Sequence, residues 1–319
     1  MPGTITLSVV LIIVATAAGY SARRLGILRE RASRPIMTLV VVFGYSSIAL
    51  LTIWQLTLEW QDIWLPMLGA LHVAALTGVA LLLGRRLFRE RRRRGLLAVA
   101  CAVGNVGPTL GGLVVYLLYG IEGLGLVGIY GLMFTPVTVL LLYPIAKAHQ
   151  GEGDPLGRII VRSLLDWRSV ALPIALTGVV LSAVGAPYPR LLEHIHLVDI
   201  LVFLVTAMAY FAIGLRLYVR YVASIKAMIA ALSAVRFAGG LGVGLGLYAL
   251  TRLTPWPLEC LPMKVFIIEA FVPTAVTTVA LAEMFGLRPR LGSVLFVTNT
   301  ALYLVLILPL VAWIFGECL

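Results

Sequence analysis

The stretch Val103-Gly104-Asn105-Val106-Gly107-Pro108-Thr109 decides how this chain is read. It interrupts a run that is otherwise apolar enough to cross a bilayer. A second stretch, Glu269-Ala270-Phe271-Val272-Pro273-Thr274, interrupts another such run. Pro108 and Pro273 fall at matching places in the two halves of the chain. Each is followed directly by Thr and, farther on, by a glycine, Gly120 or Gly286. Both segments continue into a Leu-Gly pair, Leu124-Gly125 and Leu291-Gly292. A proline inside a helix removes a backbone donor and clashes with the preceding turn. In lipid the freed carbonyls are tolerated only where protein or a water-filled cavity satisfies them. Matching breaks in two halves imply a repeat-built membrane protein of the transporter kind, with its binding site at the breaks.

Composition agrees with a bilayer setting. Hydrophobic residues make up 61% of the 319 and charged residues only 12%, against about 25% charged in soluble domains. Mean hydropathy is +1.03. Ten apolar stretches approach the ~20 residues a spanning helix needs: 4–21, 35–57, 62–83, 96–118, 124–146, 168–185, 197–215, 227–250, 261–284 and 291–315. Pro187–Asp199 reads as an interfacial helix leading into the seventh.

The net charge of +11 is distributed by loop rather than gathered for nucleic acid. Arg23, Arg24, Arg29, Arg31 and Arg34 occupy the first loop, and seven arginines between Arg85 and Arg94 the third. Lys147, Arg158, Arg162 and Arg168 fall in the fifth, Arg216, Arg220 and Lys226 in the seventh, Arg288 and Arg290 in the ninth. Arg190, Arg252 and Lys264 lie toward the other side, and Arg236 falls within a span. The positive-inside rule puts the odd loops in the cytoplasm and both termini outside a cell membrane. Trp54, Trp60, Trp64, Trp256 and Trp313 then mark the outer interface, and Trp167 the inner one. The arginine run 85–94 reads as an anchor on anionic lipid headgroups. The first span has no basic residue before it and reads as a retained helix, not a cleaved signal. Three cysteines exclude a disulfide framework; Cys101 is expected in packing, and Cys260 and Cys318 as separate thiols or a bridge at the outer end.

The chain divides into residues 1–148, a polar cytoplasmic connection 149–167, and residues 168–319, with five spans in each half. An odd number per half makes the repeat inverted. Ser8-Val9 with Thr16 matches Ser169-Val170 with Thr177 at a constant offset.

Gly19-Tyr20-Ser21-Ala22-Arg23-Arg24-Leu25-Gly26-Ile27-Leu28 resembles the end of the first helix in the auxin efflux carrier family of permeases. Gly104-Asn105-Val106-Gly107 is similar to that family's Asn-x-Gly break. Pro273-Thr274-Ala275-Val276, followed by Leu281-Ala282-Glu283-Met284-Phe285-Gly286-Leu287, is similar to its ninth-helix pattern. The resemblance covers essentially the full length. It implies an all-α polytopic membrane protein of ten transmembrane helices, a 5+5 inverted repeat in which helices 4 and 9 are broken and cross. It also implies kinship with bile acid/sodium symporters and sodium/proton antiporters. Helices 1, 2, 6 and 7 would form a scaffold that makes a homodimer, and the remaining helices a mobile core. Tyr45-Ser46-Ser47 and Ala207-Met208-Ala209 stand where family members carry prolines in helices 2 and 7. The fourth-helix ending is here Gly107-Pro108.

Broken helices expose unpaired amides with partial positive charge, which suit anions. Gly104 and Gly107 let the backbone approach a ligand, and Asn105 either contacts substrate or caps the second half-helix. Pro108 and Pro273 shape the crossover, with Phe271 and Thr274 beside the second break. Glu269, near mid-membrane, is an ion or proton candidate, alternatively a structural ion pair with Arg236 or a bond to the crossing backbone. Tyr45, Ser46, Thr277 and Asn299 are further cavity candidates, although polar groups also hold helices together. His72 reads as hydrogen-bonded packing. No paired catalytic groups or zinc spacing supports an enzyme, and no cofactor or metal is expected beyond proton or sodium coupling. The reading is an elevator-type carrier of a small organic anion, a carboxylate by the polarity of the half-helix ends and by what the family resemblance implies. The alternatives are a sodium-coupled symporter and a passive channel. Expected partners are this anion, membrane lipids and a second copy, not nucleic acid.

Overall fold

The computed structural model describes residues 2–150, 155–165, 170–217 and 225–316. Among these residues the elements are helical apart from one isolated β-bridge. The first part of the chain forms α1 (Pro2–Arg24), α2 (Glu30–Trp54), α3 (Trp60–Leu87), α4 (Arg91–Ala102) and α5 (Gly111–His149). Then come α6 (Leu156–Leu164), α7 (Ala171–Ala183), α8 (Arg190–His194), α9 (Leu197–Gly214) and α10 (Lys226–Thr251). The chain ends in α11 (Cys260–Ala270), α12 (Thr277–Met284) and α13 (Pro289–Gly316). Among the described residues, 7–24 of α1, with α2, α3, α5, α9, α10 and α13, give 7 helices long and apolar enough to cross a membrane; α7 is a shorter apolar helix.

α5 is too long for one crossing. Its 39 residues would measure about 58 Å, roughly twice the hydrocarbon layer. Gly120 (φ 64, ψ −153) interrupts it, a conformation open to a residue with no Cβ. Gly286 (φ 61) stands in the same relation to α12 and α13. α4 and α11 have the opposite problem. At 12 and 11 residues each reaches only about 17–18 Å, half a bilayer.

Among the described residues, four helices contain short stretches of wider turns: Val40–Tyr45, Thr138–Leu142, Ala234–Gly239 and Tyr303–Ile307. Such bulges re-aim side chains and are frequent at functional positions. Two of them carry Tyr45 and Arg236.

Small residues set the closest packing, as expected where lipid removes the hydrophobic drive between helices. α1 packs along α9, and α7 along α2. A Cβ on Gly19 would meet the Phe211 carbonyl oxygen at 2.0 Å, and one on Gly214 the Thr16 carbonyl oxygen at 2.2 Å. Gly178 lies close on Leu50 of α2, where a Cβ would meet the carbonyl oxygen at 3.1 Å. Arg23 closes the end of α9 by donating to Leu215 O (3.1 Å) and Leu217 O (2.7 Å).

Three expectations are refined. The connection 149–167 contains helix α6, whose Arg158 and Arg162 stand one turn apart on either side of Ile159, Ile160 and Val161. α8 supplies the short helix expected before α9. Cys101 is a buried free thiol and Cys260 an exposed one; Cys318, like Trp167, Arg168 and Arg220, lies outside the described residues.

Candidate functional site

The two breaks meet. α4 ends at Ala102, and residues 103–110 run without helix to α5. α11 ends at Ala270, and residues 271–276 run to α12. The segments pair antiparallel at Gly104 and Thr274. Asn105 N–H donates to Pro273 O at 2.7 Å, and Ala275 N–H to Val103 O at 3.0 Å. Each break thus satisfies part of the other's exposed backbone, as a membrane interior requires.

Side chains complete this joint. Thr274 is fully buried; its hydroxyl bonds Ala100 O (2.7 Å) and Thr278 Oγ1 (2.9 Å). Asn299 accepts the Thr274 N–H through Oδ1 (2.8 Å) and donates to Ser233 Oγ (3.1 Å), linking α13, the second break and α10. His72 contacts Gly240 O at 3.1 Å, in keeping with a packing role.

Arg236 and Glu269 are buried, but they do not form the ion pair their depth suggests. The guanidinium donates from Nε (3.0 Å) and Nη2 (2.6 Å) to Val272 O, and from Nη1 (3.3 Å) to Cys101 O. Neither carboxylate oxygen of Glu269 has a hydrogen-bond partner. Its carboxyl lies against the start of α5, where a Cβ on Gly111 would meet Oε2 at 2.2 Å. Spacing along two helices fixes depth but not azimuth. The wide turn at Ala234–Gly239 helps aim Arg236 at the helix ends instead.

A cavity of about 210 Å³ opens beside the joint. Gly104, Asn105, Gly107 and Pro108 form one wall, and Ala275, Val276 and Thr277 another. Tyr45 and its α2 neighbours, Gly128 to Thr135 of α5, and Ala171 to Ala175 close it. Its lining includes no Asp, Glu, His, Lys or Arg among the described residues. Phe271, Pro273, Thr274, Ser46, Asn299, Glu269 and Arg236 do not line it; they buttress the joint or lie within the packing. Thr135 and the small residues Gly128, Gly131, Ala171 and Ala175 are wall positions that sequence reasoning misses. Their signal is a spacing of three or four residues between small side chains on apolar helices.

The polar groups facing the cavity are oriented. Tyr45 OH donates to Thr109 Oγ1 (3.0 Å), which donates to Asn105 Oδ1 (3.0 Å). This chain occupies the Asn105 carbonyl oxygen and leaves its Nδ2 without an acceptor among the described residues. The backbone N–H groups of Val106 and Gly107, and of Val276 and Thr277, likewise carry no acceptor there. The last two stand at the start of α12, where the helix dipole adds positive potential.

The family model described as membrane transport protein matches residues 4–314, and the chain belongs to that family, which includes auxin efflux carriers. No curated protein matches the chain.

Proposed function

We propose that this member of the membrane transport protein family is a carrier for a small organic anion, whose carboxylate sits on the unpartnered amides beside the joined breaks. The carrying observation is that Val106, Gly107, Val276 and Thr277, whose N–H groups carry no acceptor among the described residues, line one apolar cavity together with Asn105. Donors without charge suit one delocalised negative charge, while the aliphatic walls suit an apolar body. A monocarboxylate with a hydrocarbon or aromatic remainder fits better than a polyanion, because no Lys, Arg or His among the described residues faces the space.

The architecture behind this reading is ten spans in a 5+5 inverted repeat, residues 1–148 and 168–319 joined by 149–167. α4 with the first part of α5 forms the fourth crossing, and α11 with α12 the ninth. Several matches support the repeat. Two wide turns begin at Thr138 and Tyr303 and end at Leu142 and Ile307. Both pairs are separated by the same interval as Pro108 and Pro273. The positive-φ glycines Gly120 and Gly286 miss that interval by a single position. The reciprocal packing of α1 on α9 and α7 on α2 is what exchange of the two halves requires. Transport then proceeds by an elevator movement of the joined breaks against a scaffold of α1, α2, α7 and α9, through which two copies associate. The odd-numbered loops face the cytoplasm of a cell membrane. Glu269 is the candidate for handling a proton.

Uptake of labelled aliphatic and aromatic monocarboxylates into proteoliposomes tests this reading. Saturable uptake with counterflow, weakened by Asn105→Ala, is expected. Large non-saturating currents would instead identify a channel. Stabilisation and uptake of organic cations in preference to carboxylates would refute the anion site.

A further inference from the structure

The negative ends of two short helices converge on one side chain. α4 presents Cys101 O in its last turn, and α11 presents Val272 O two residues beyond its end. Each helix C-terminus carries about half a negative charge, so two together balance about one positive charge. In carriers with discontinuous helices, such ends and unwound carbonyls are where a coupling cation is coordinated. Here a cation belonging to the chain itself fills the position. Arg236 takes both carbonyls, at 2.6 and 3.0 Å for Val272 and 3.3 Å for Cys101. It is 1% exposed. The fit is close: a Cβ on Gly104 would lie 2.3 Å from Nη2. Glu269 does not hydrogen-bond the guanidinium.

We infer that Arg236 is a tethered cation standing where a coupling metal ion would bind, so that the joined breaks hold together without sodium. The inference rests on the carrier reading but makes a claim of its own. The positive charge at the crossover is permanent and travels with it. A substrate anion on the amides at the helix starts therefore meets a core that is already assembled. Sodium-coupled symport through these carbonyls is excluded by occupancy, since the guanidinium already uses them.

The experiment needs no substrate, so its failure is separable from failure of the transport assay. Tm of the purified protein is measured in sodium, potassium or choline chloride, or in millimolar guanidinium chloride made up with choline chloride, all at equal ionic strength. Wild-type Tm is expected to be the same in all four. Arg236→Ala and Arg236→Gln are expected to be less stable in choline. Sodium or guanidinium should raise their Tm in a saturable manner, by roughly 5 °C at a hundredfold excess over half-saturation. Arg236→Lys keeps the charge and should remain insensitive to sodium. A wild-type protein that needs sodium for full Tm overturns the inference. So do neutral variants that fold no better in sodium or guanidinium than in choline, whether or not they can be isolated.

Discussion

Tyr116 OH donates a 2.6 Å hydrogen bond to Asp199 Oδ1, joining the first part of α5 to the start of α9. At the opposite ends of the helices, Glu283 after the second break bonds Arg216 and lies 3.6 Å from Arg34. Both ties run between the segments that carry the breaks and the proposed scaffold. An elevator movement has to undo at least one of them. A hydrogen bond to a charged group contributes about 1.5–3 kcal/mol. Tyr116→Phe should therefore change the maximal rate of counterflow several-fold while leaving half-saturation within about twofold. An equal change in both quantities would place Tyr116 in the binding site instead.

Asn105 is the side chain to probe for substrate. Asn105→Ala removes the Nδ2 donor and leaves Thr109 without its acceptor. It should raise half-saturation about tenfold, the equivalent of about 1.4 kcal/mol. Asn105→Asp keeps the acceptor but sets a negative charge beside the proposed carboxylate. It should be the worse of the two, with competition assays reporting the order. Equal binding by both variants would remove the anion from this wall.

Glu269 offers a separable test. Its oxygens have no partner to lose, so Glu269→Gln should retain wild-type expression and Tm. In the carrier reading, Glu269 near mid-membrane is the candidate for a proton path. Uptake by the variant is expected to lose the pH dependence that the unaltered protein shows. Unchanged pH dependence would leave Glu269 without a coupling role.

Gly111 reports on the same contact through packing. Gly111→Ala drives a Cβ to 2.2 Å from Glu269 Oε2. Overpacking of this kind costs about 1–3 kcal/mol, visible as a lower Tm. Combining it with Glu269→Ala should recover most of the loss. Additive destabilisation in the double variant would show that the two positions do not press on each other.

Much of the fold can be read from the chain because proline and asparagine are rare in lipid-spanning runs. Pro108, Asn105 and Pro273 mark the breaks, and the breaks do meet. Their lengths are less legible: residues 103–110 are left unwound in the first, against 271–276 in the second. The prolines sit at different points within them. Side-chain partners are harder still. Thr274 looks available for substrate in the sequence but is consumed by Ala100 O, and Asn299 by the second break. Wide turns in α2 and α10 shift the angular position of every residue beyond them, which spacing along an ideal helix cannot convey. The cavity's small residues carry no chemistry of their own, and only the packed structure gives them a meaning.

The rung between Gly104 and Thr274 has a consequence for synthesis. Asn105 finds its acceptor in Pro273, which is made only after more than half of the chain has followed. At about 5–20 residues per second, the first break waits roughly 10–30 s for its mate. Throughout that interval the nascent chain holds open peptide groups in the bilayer, sheltered by water, lipid headgroups or an insertion factor. Ribosome pausing or truncation between the two breaks should leave an intermediate that quality-control proteases recognise.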